Sequence, residues 1–425
     1  MAAEREGVVI IHPPSKMLER ERMVPPLGPL QLAADLESDG YEKVRVIDVG
    51  GDKLDLEPLM EAQAILLSAT TPQYLEAREI CRAVLQERGK KGLEYPTLAV
   101  GGAHATYMGS LLLKDGWDYV CVGEGDLVVT PLVEGRVASG LVLGGQVGDL
   151  NTLPMPAYHR IDISQYRRSQ EHKPTIPIMT SKGCPHDCSF CSNEVWGRRV
   201  RFYKPDYVVG LIKKITQLGV EQVVFYDDDA LINPGERLQR ICKGIEPLDV
   251  TWRCNTHVNT IVNPRAQNLG VLEMVRDAGC RHISLGIDGV DDESLSYLRK
   301  GTTVARCKEA VRLVKEAGSY VKVFLIYIPR RGDIYAQKMI DFVKDTDPDF
   351  VQVSVLIPMP GSDMYSHPGE YGLNFRKSEV DRFYYCGPKG VSGDIGMLDE
   401  EDHHAIDYLY RWLSDWRESK PEMPI

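Results

Sequence analysis

Three cysteines fall within eight residues of the 425-residue chain, in TSKGCPHDCSFCSNEVWG: Cys184, Cys188 and Cys191. A C-x3-C-x2-C spacing gathers three thiolates on one short loop, and thiolates select zinc, copper or iron-sulfur iron. A structural zinc would need a fourth ligand to close its tetrahedron. His186 is the nearby candidate, although it stands between two of the cysteines, where one short loop would have to turn all four groups inward. A [4Fe-4S] cluster held by three cysteines instead leaves one iron open to a ligand that is not protein. The other seven cysteines are scattered singly. Cys242, Cys254, Cys280 and Cys307 read as buried small apolar residues, and the pattern does not resemble a secreted disulfide framework.

Further groups able to do chemistry sit at the ends of apolar runs. Asp227 and Asp228 adjoin in VVFYDDDALIN, Asp288 closes ISLGID, and Tyr327 lies near the end of VKVFLIYI. Small-residue loops follow other runs and supply Gly101, Gly102, Gly123 and Gly125, where a bare backbone lets a ligand approach. His104 is the single histidine in these loops.

The elements that must position these groups form two series. GVVIIHPPS, KVRVIDVG, AQAILLSATTP, TLAVGGAHAT and WDYVCVGEGD read as strand followed by loop, with helical stretches at Pro29 to Ser38 and Tyr74 to Arg88. Strands alternating with helices predict a doubly wound parallel sheet with its ligand at the carboxyl ends of the strands. This first domain is expected over residues 1–145. Residues 146–175 carry several prolines and no sustained period, and read as a linker.

A second series follows, with strands at 176–181, 222–229, 250–256, 282–288, 321–328 and 350–357. Six strands with crossover helices predict a partial parallel barrel over 176–365. A C-terminal extension, 366–425, ends in a helix near 399–418. The fold class is therefore α/β: a Rossmann-like domain, a partial (β/α)6 barrel and a small α-rich extension.

Fifty Lys and Arg against 61 Asp and Glu give a net charge of -11, which disfavours general nucleic-acid binding. Mean hydropathy is -0.24 and no apolar run approaches the ~20 residues of a membrane span. The start, MAAEREGVVII, lacks the basic n-region of a signal peptide, and a cytoplasmic location is expected.

The cysteine motif, with Phe190 just before the last cysteine, resembles the radical S-adenosylmethionine (SAM) superfamily. The likeness continues in order along the second series. Asp227 and Asp228 stand where that family places residues contacting the SAM amino group. ISLGIDG resembles the G-I-E-S pattern, with Asp288 in place of glutamate, and FVQVSVLIPMPGSDMY resembles P-x-P-G-T-x-L-Y. VKVFLIYIPRRG resembles a strand that reads F-x-x-G-x-P, with Tyr327 in place of glycine, which places Tyr327 at the cavity as a candidate catalytic residue.

PPLGPLQLAADLESDGYEKVRVID, with Leu27 and Gly28, is similar to the opening of cobalamin-binding domains fused to such enzymes. SATTPQY (Ser68, Thr70), VGGAHATY (Gly101, Gly102, His104) and VGEGD (Gly123, Glu124, Gly125) match that family's further cofactor loops. No D-x-H-x-x-G occurs, so the familiar histidine ligand to cobalt is not expected.

The resemblance implies a [4Fe-4S] cluster on Cys184, Cys188 and Cys191, SAM and methylcobalamin. It implies a methyltransferase acting on an unactivated carbon, using one SAM to make a 5'-deoxyadenosyl radical and another to methylate cobalamin. An electron donor such as ferredoxin or flavodoxin is implied too. The favoured substrate is a peptide or protein residue, such as glutamine of methyl-coenzyme M reductase. The alternatives are non-methylating cyclisation or rearrangement of a small molecule, and a non-catalytic cobalamin carrier.

Overall fold

The computed structural model describes residues 7–15, 22–166, 174–192, 195–377 and 397–420. Cys386 and much of the expected C-terminal extension lie outside the described residues. The chain divides into two compact units, Met1–Pro174 and Thr175–Ile425.

The first unit is built on six parallel strands: β1 (Val8–His12), β2 (Val44–Asp48), β3 (Ala64–Ser68), β4 (Thr97–Gly101), β5 (Tyr119–Gly123) and β6 (Gly140–Gly145). Their order is β2-β1-β3-β4-β5-β6, so the direction of winding reverses between β1 and β3, the place where doubly wound sheets open a ligand crevice. Alternation along the strands feeds two apolar layers. Val9, Ile11, Ile65 and Leu67 pack on one face, Val8, Ile10, Ala64 and Leu66 on the other. Each buried Val, Leu or Ile contributes ~1.5–3 kcal/mol relative to exposure.

Two features differ from the sequence reading. β6 was not expected; it is an edge strand with Leu141 and Leu143 exposed, so its glycine-rich run carries no continuous apolar signal. Residues 146–166 pack inward rather than running free. Leu150, Ala157 and Tyr158 are buried, Ala157 N–H donates to Leu30 O at 3.0 Å, and Gln31 Nε2 donates to Pro154 O at 3.1 Å. An irregular segment held by such single bonds has no period for a sequence reading to find.

The second unit begins with β7 (Thr175–Ile178), followed by a short antiparallel pair, β8 (Ser181–Lys182) and β9 (Arg201–Phe202). Its main strands continue as β10 (Gln222–Phe225), β11 (Thr251–His257), β12 (Cys280–Asp288), β13 (Tyr320–Tyr327) and β14 (Phe350–Val355). The six-stranded sheet runs β14-β13-β12-β11-β10-β7, with every neighbouring pair parallel. Helices between them, such as Pro205–Thr216 and Val304–Glu316, bury one apolar stripe each. This is the sequential order of a partial barrel, which sends every strand's carboxyl end to one rim. The helix Glu400–Glu418 packs beside Gly332–Thr346, with Tyr410 Oη donating to Val353 O at 3.0 Å. Cys242, Cys254, Cys280 and Cys307 are buried. No helix among the described residues is long and apolar enough to cross a membrane.

Candidate functional site

The cysteine loop is closed at its neck. β8 and β9 pair Ser181 with Phe202 and Lys182 with Arg201, so residues 183–200 leave and return at one point. Gly183 has φ +99°, and a Cβ there would lie 2.6 Å from Arg199 O; only glycine fits this entry to Cys184. Cys184 N–H then donates to Gly197 O at 3.3 Å, and Lys182 Nζ stands 4.5 Å from the Trp196 ring centroid. Ser189 N–H donates to Leu298 O, and Met364 N–H to Ser189 O, both at 3.0 Å. Ser192 Oγ donates to Pro360 O at 2.8 Å.

The three thiols interact with one another. Burial pushes Cys184 up to about 11 and Cys191 up to about 12, and raises Cys188; Cys188 adds to the rise at Cys184, and Cys188 and Cys184 both add to it at Cys191. Among the described residues no three His, Cys, Asp or Glu groups stand close enough to ligate one metal ion. The conceivable fourth zinc ligand, His186, is turned elsewhere. Its Nε2 lies 3.4 Å from Asp229 Oδ2, and its ring stacks on His257 with centroids 3.7 Å apart. Phe190 is half-buried in the same loop.

The paired carboxylates separate. Asp227 is buried and accepts Thr180 N–H at 3.1 Å, Thr180 Oγ1 at 2.9 Å and the Ser181 hydroxyl. Arg237 completes this tie by donating to Thr180 O at 2.5 Å and Tyr203 O at 3.0 Å. Asp227 therefore positions the approach to the cysteine loop, and its oxygens are engaged there instead of facing a ligand. Asp228 is exposed at the rim. The protein crowding one side of it, then Asp227 and Asp229, push its carboxyl up to about 6. Of the pair, Asp228 is the one available to a cationic amino group.

Asp229, which the sequence reading passed over, ties three elements together. It accepts Thr256 Oγ1 at 2.6 Å and Thr260 Oγ1 at 2.7 Å, and faces His186 of the cysteine loop. The run of three aspartates was its signal.

Asp288 is not an open ligand either: its Oδ2 lies 2.6 Å from Lys300 Nζ, and both side chains are almost wholly buried. Tyr327 differs most from expectation. On β13, Val321, Val323, Leu325 and Tyr327 share one buried face, while Lys322 and Phe324 are on the other. Tyr327 meets Tyr335 of the helix Gly332–Thr346 edge-on, and its hydroxyl donates to Asp402 Oδ1 at 2.7 Å. Strand parity turns the ring towards the helices, so the cavity placement is corrected and the residue fastens the C-terminal helix.

In the first unit the loops after β3, β4 and β5 interlock at one edge. Ala69 N–H donates to Gly101 O at 3.1 Å, and His104 N–H to Ala69 O at 3.2 Å. Gly102 has φ +91°, and a Cβ there would lie 2.8 Å from Ala69 O and 3.2 Å from Ser68 Oγ. Ser68 Oγ also stands 3.7 Å from the Cβ position of Gly28, which brings the Leu27–Gly28 opening to the same edge. Gly123 N–H donates to Thr106 Oγ1 at 3.1 Å. Glu124 is buried and accepts Val147 N–H at 3.2 Å, and a Cβ on Gly125 would touch Leu32 at 3.0 Å.

Gln73, also missed, stitches these loops to β1. Its Oε1 accepts Thr70 N–H at 3.1 Å and Thr70 Oγ1 at 2.8 Å, and its Nε2 donates to Pro13 O at 2.8 Å. The T-x-x-Q capping box was legible as a helix start. His104 lies under the loops, stacked on Tyr74 with centroids 4.2 Å apart and its Nδ1 3.1 Å from Thr71 Oγ1. Burial, then Arg78, lowers it to about 3, so the ring is neutral.

Both sites fit the groups the motifs imply. Close backbone loops without side chains suit a broad macrocycle, and a loop with a preformed neck and three thiols suits a cluster with one open iron.

Comparison with known proteins agrees. The radical SAM superfamily matches residues 178–343 and the B12 binding domain residues 17–133, about two thirds of the chain between them. An uncharacterized methyltransferase of Pyrococcus horikoshii is 24% identical over 376 residues, covering 81% of this chain and 78% of the relative. The anaerobic magnesium-protoporphyrin IX monomethyl ester cyclase of Cereibacter sphaeroides is 26% identical over 396 residues, covering 84% of this chain and 63% of its own length. Among solved structures, the apo form of the cobalamin-dependent S-adenosylmethionine radical enzyme OxsB shares the fold with a TM-score of 0.74 at 15% identity, covering 97% of this chain and 67% of that one. A cobalamin-binding sheet followed by a radical SAM barrel, in the order the motifs require, identifies the chain as an enzyme of the cobalamin-dependent radical SAM family, working with a [4Fe-4S] cluster, SAM and cobalamin.

Proposed function

We propose that the protein is a C-methyltransferase that places a methyl group on an unactivated carbon. One observation carries this reading: a single chain holds both a glycine-lined loop edge on a doubly wound sheet and a three-thiol loop at the rim of a parallel barrel. The cofactors supply radical generation and a transferable methyl group, chemistry that no side chain can provide. The protein's part is to bind, orient and shield. Cys184, Cys188 and Cys191 would hold the cluster, and Asp228 would receive the SAM amino group. Asp227 and Arg237 keep the β7–β8 connection in place, while Gly101, Gly102, Gly123 and Gly125 let the loops that would carry the corrin pack closely on one another.

The acceptor we assign is a carbon of a peptide or protein residue, such as a glutamine, and the electron donor a ferredoxin or flavodoxin. Support for methyl transfer comes from the Pyrococcus horikoshii relative, whose name states that activity. A second reading, cyclisation of a small molecule without methylation, is favoured by the Cereibacter sphaeroides relative. Anaerobic incubation with reductant, deuterated-methyl SAM and candidate peptides, followed by mass spectrometry, separates them. A peptide gaining a labelled methyl is the expected result. Deoxyadenosine formed with loss of hydrogen and no label on a small-molecule product would favour cyclisation.

A further inference from the structure

The turn behind the cysteine loop is more elaborate than a structural prop requires. Ser189, the residue after Cys188, is pinned to it twice, by its N–H on Leu298 O at 3.0 Å and its Oγ on Tyr297 O at 3.1 Å. The two residues that follow are both cationic and point to different partners. Arg299 reaches Asp363 at 3.0 Å and Asp187 of the cysteine loop at 3.5 Å. Lys300 is buried and pairs with Asp288 at 2.6 Å.

Burying an ammonium is costly unless it is paired, and the strand opposite is deformed to provide the partner. Asp288 has φ +66° and Arg299 φ +48°, conformations that cost of order 1–3 kcal/mol each outside glycine. The β12–β13 register shifts between Gly286 and Asp288. A Cβ on Gly286 would stand 3.1 Å from Lys300 Nζ and 3.4 Å from Asp288 Oδ2, so glycine keeps the space for the pair. Burial works against the ammonium, but Asp288 and Cys188 together raise its pKa above the usual lysine range. Through Ser189, which follows Cys188 directly, the turn that carries Lys300 is bonded to the cysteine loop itself.

We propose that the buried Lys300–Asp288 pair is a charge-balancing device behind Cys188 and Cys191 that sets the reduction potential of the [4Fe-4S] cluster. Cluster potentials respond to local charge, burial and the groups around the thiolates. A reduced cluster carries one more negative charge than the oxidised form. The ammonium favours it, the carboxylate disfavours it, and the pair fixes the potential between those extremes. Lys300 and Asp288 are thus positioning residues that act on the cluster through space. The proposal rests on the cluster and not on methyl transfer, so it can fail while that reading stands.

The test is potentiometric titration of the cluster in the reconstituted holoenzyme, without SAM or acceptor, followed by electron paramagnetic resonance of the reduced form. Asp288→Asn leaves the ammonium unopposed, and the midpoint is expected to move positive. Lys300→Met leaves the carboxylate, and the midpoint moves negative. Lys300→Arg keeps the charge and stays near the wild-type value, as does the double variant Lys300→Met/Asp288→Asn. Wild-type midpoints in both single variants at full iron content overturn the proposal, and so do shifts of the same sign. Should the single variants lose the cluster, the double variant decides. A near-wild-type midpoint supports charge balance; failure to hold iron makes the pair a folding element and overturns the proposal.

Discussion

The two loop systems position their ligands by opposite means. At the edge of the first sheet the loops meet backbone to backbone, and the side chains that join them are chiefly neutral: Thr70, Gln73, Thr106 and a His104 held uncharged. Glu124 is the buried exception. Around the cysteine loop, acidic and basic side chains do the same work: Asp227, Asp229, Asp187 with Arg299, and Lys300 with Asp288. A platform for a broad macrocycle is built by removing side chains so that loops pack closely on one another, whereas a compact cluster whose charge changes needs surrounding charges fixed in space. Disturbing the first should therefore be a matter of volume, and disturbing the second a matter of charge.

The largest effect is expected from the cysteines themselves. Cys188→Ala should reduce bound iron from about four per chain to near none, since three thiolates are the minimum that leaves a single open iron. Iron analysis and the cluster's visible absorbance check this, and cobalamin binding to the same variant should be unchanged if the two sites are independent.

Gly102→Ala comes next and tests volume. Its Cβ would lie 2.8 Å from Ala69 O at a positive φ, a strain of about 1–3 kcal/mol, or roughly a tenfold loss of cobalamin affinity for each 1.4 kcal/mol that reaches the site. Titration with cobalamin measures it, while iron content should remain at the wild-type level.

Asp228→Asn tests charge without volume. SAM affinity in the wild type is expected to fall as pH drops below about 6, where the carboxyl takes up its proton, and the variant should bind weakly with no such dependence. Its stability should move the other way. A folded-state pKa raised from 3.8 to about 6 means the folded chain holds a proton that the unfolded chain has released. The carboxyl therefore works against folding as pH rises through that interval, and Asp228→Asn should raise the Tm at pH 7. Isothermal titration with SAM and thermal melting report the two halves separately.

Tyr327→Phe is the mildest. It removes one hydroxyl bond to Asp402, which keeps both of its bonds from Arg330 N–H at 2.8 Å. A loss of ~1–2 kcal/mol in stability, seen as a lower denaturation midpoint, is expected with turnover and cluster content unchanged. Altered coupling between deoxyadenosine and product would return the residue to the cavity.

Much of this arrangement was legible in the sequence because it is local. Apolar runs such as VVII and AILLS are long enough to announce strands, and C-x3-C-x2-C announces a metal loop by spacing alone. The pairing of charges was not legible. Asp227 and Asp228 are identical in type and adjacent, yet in the loop past β10 one turns into the protein and the other to the rim. Lys300 follows an unremarkable SLSYLRKG, and only the bulge in β12 reveals why it is buried. Tyr327 was assigned from the family's glycine position, whereas its direction depends on a helix 75 residues further along. A resemblance carries positions across, but it does not carry the partners that decide what each side chain faces.

The two-residue pairing of β8 with β9 has a bearing on the order of assembly. Bringing the ends of a flexible loop together carries an entropic cost that grows slowly with its length. Here backbone pairing between Lys182 and Arg201 meets that cost when the second unit folds. The neck is thus closed by protein contacts alone, and the loop's ends do not depend on iron and sulfide to bring them together.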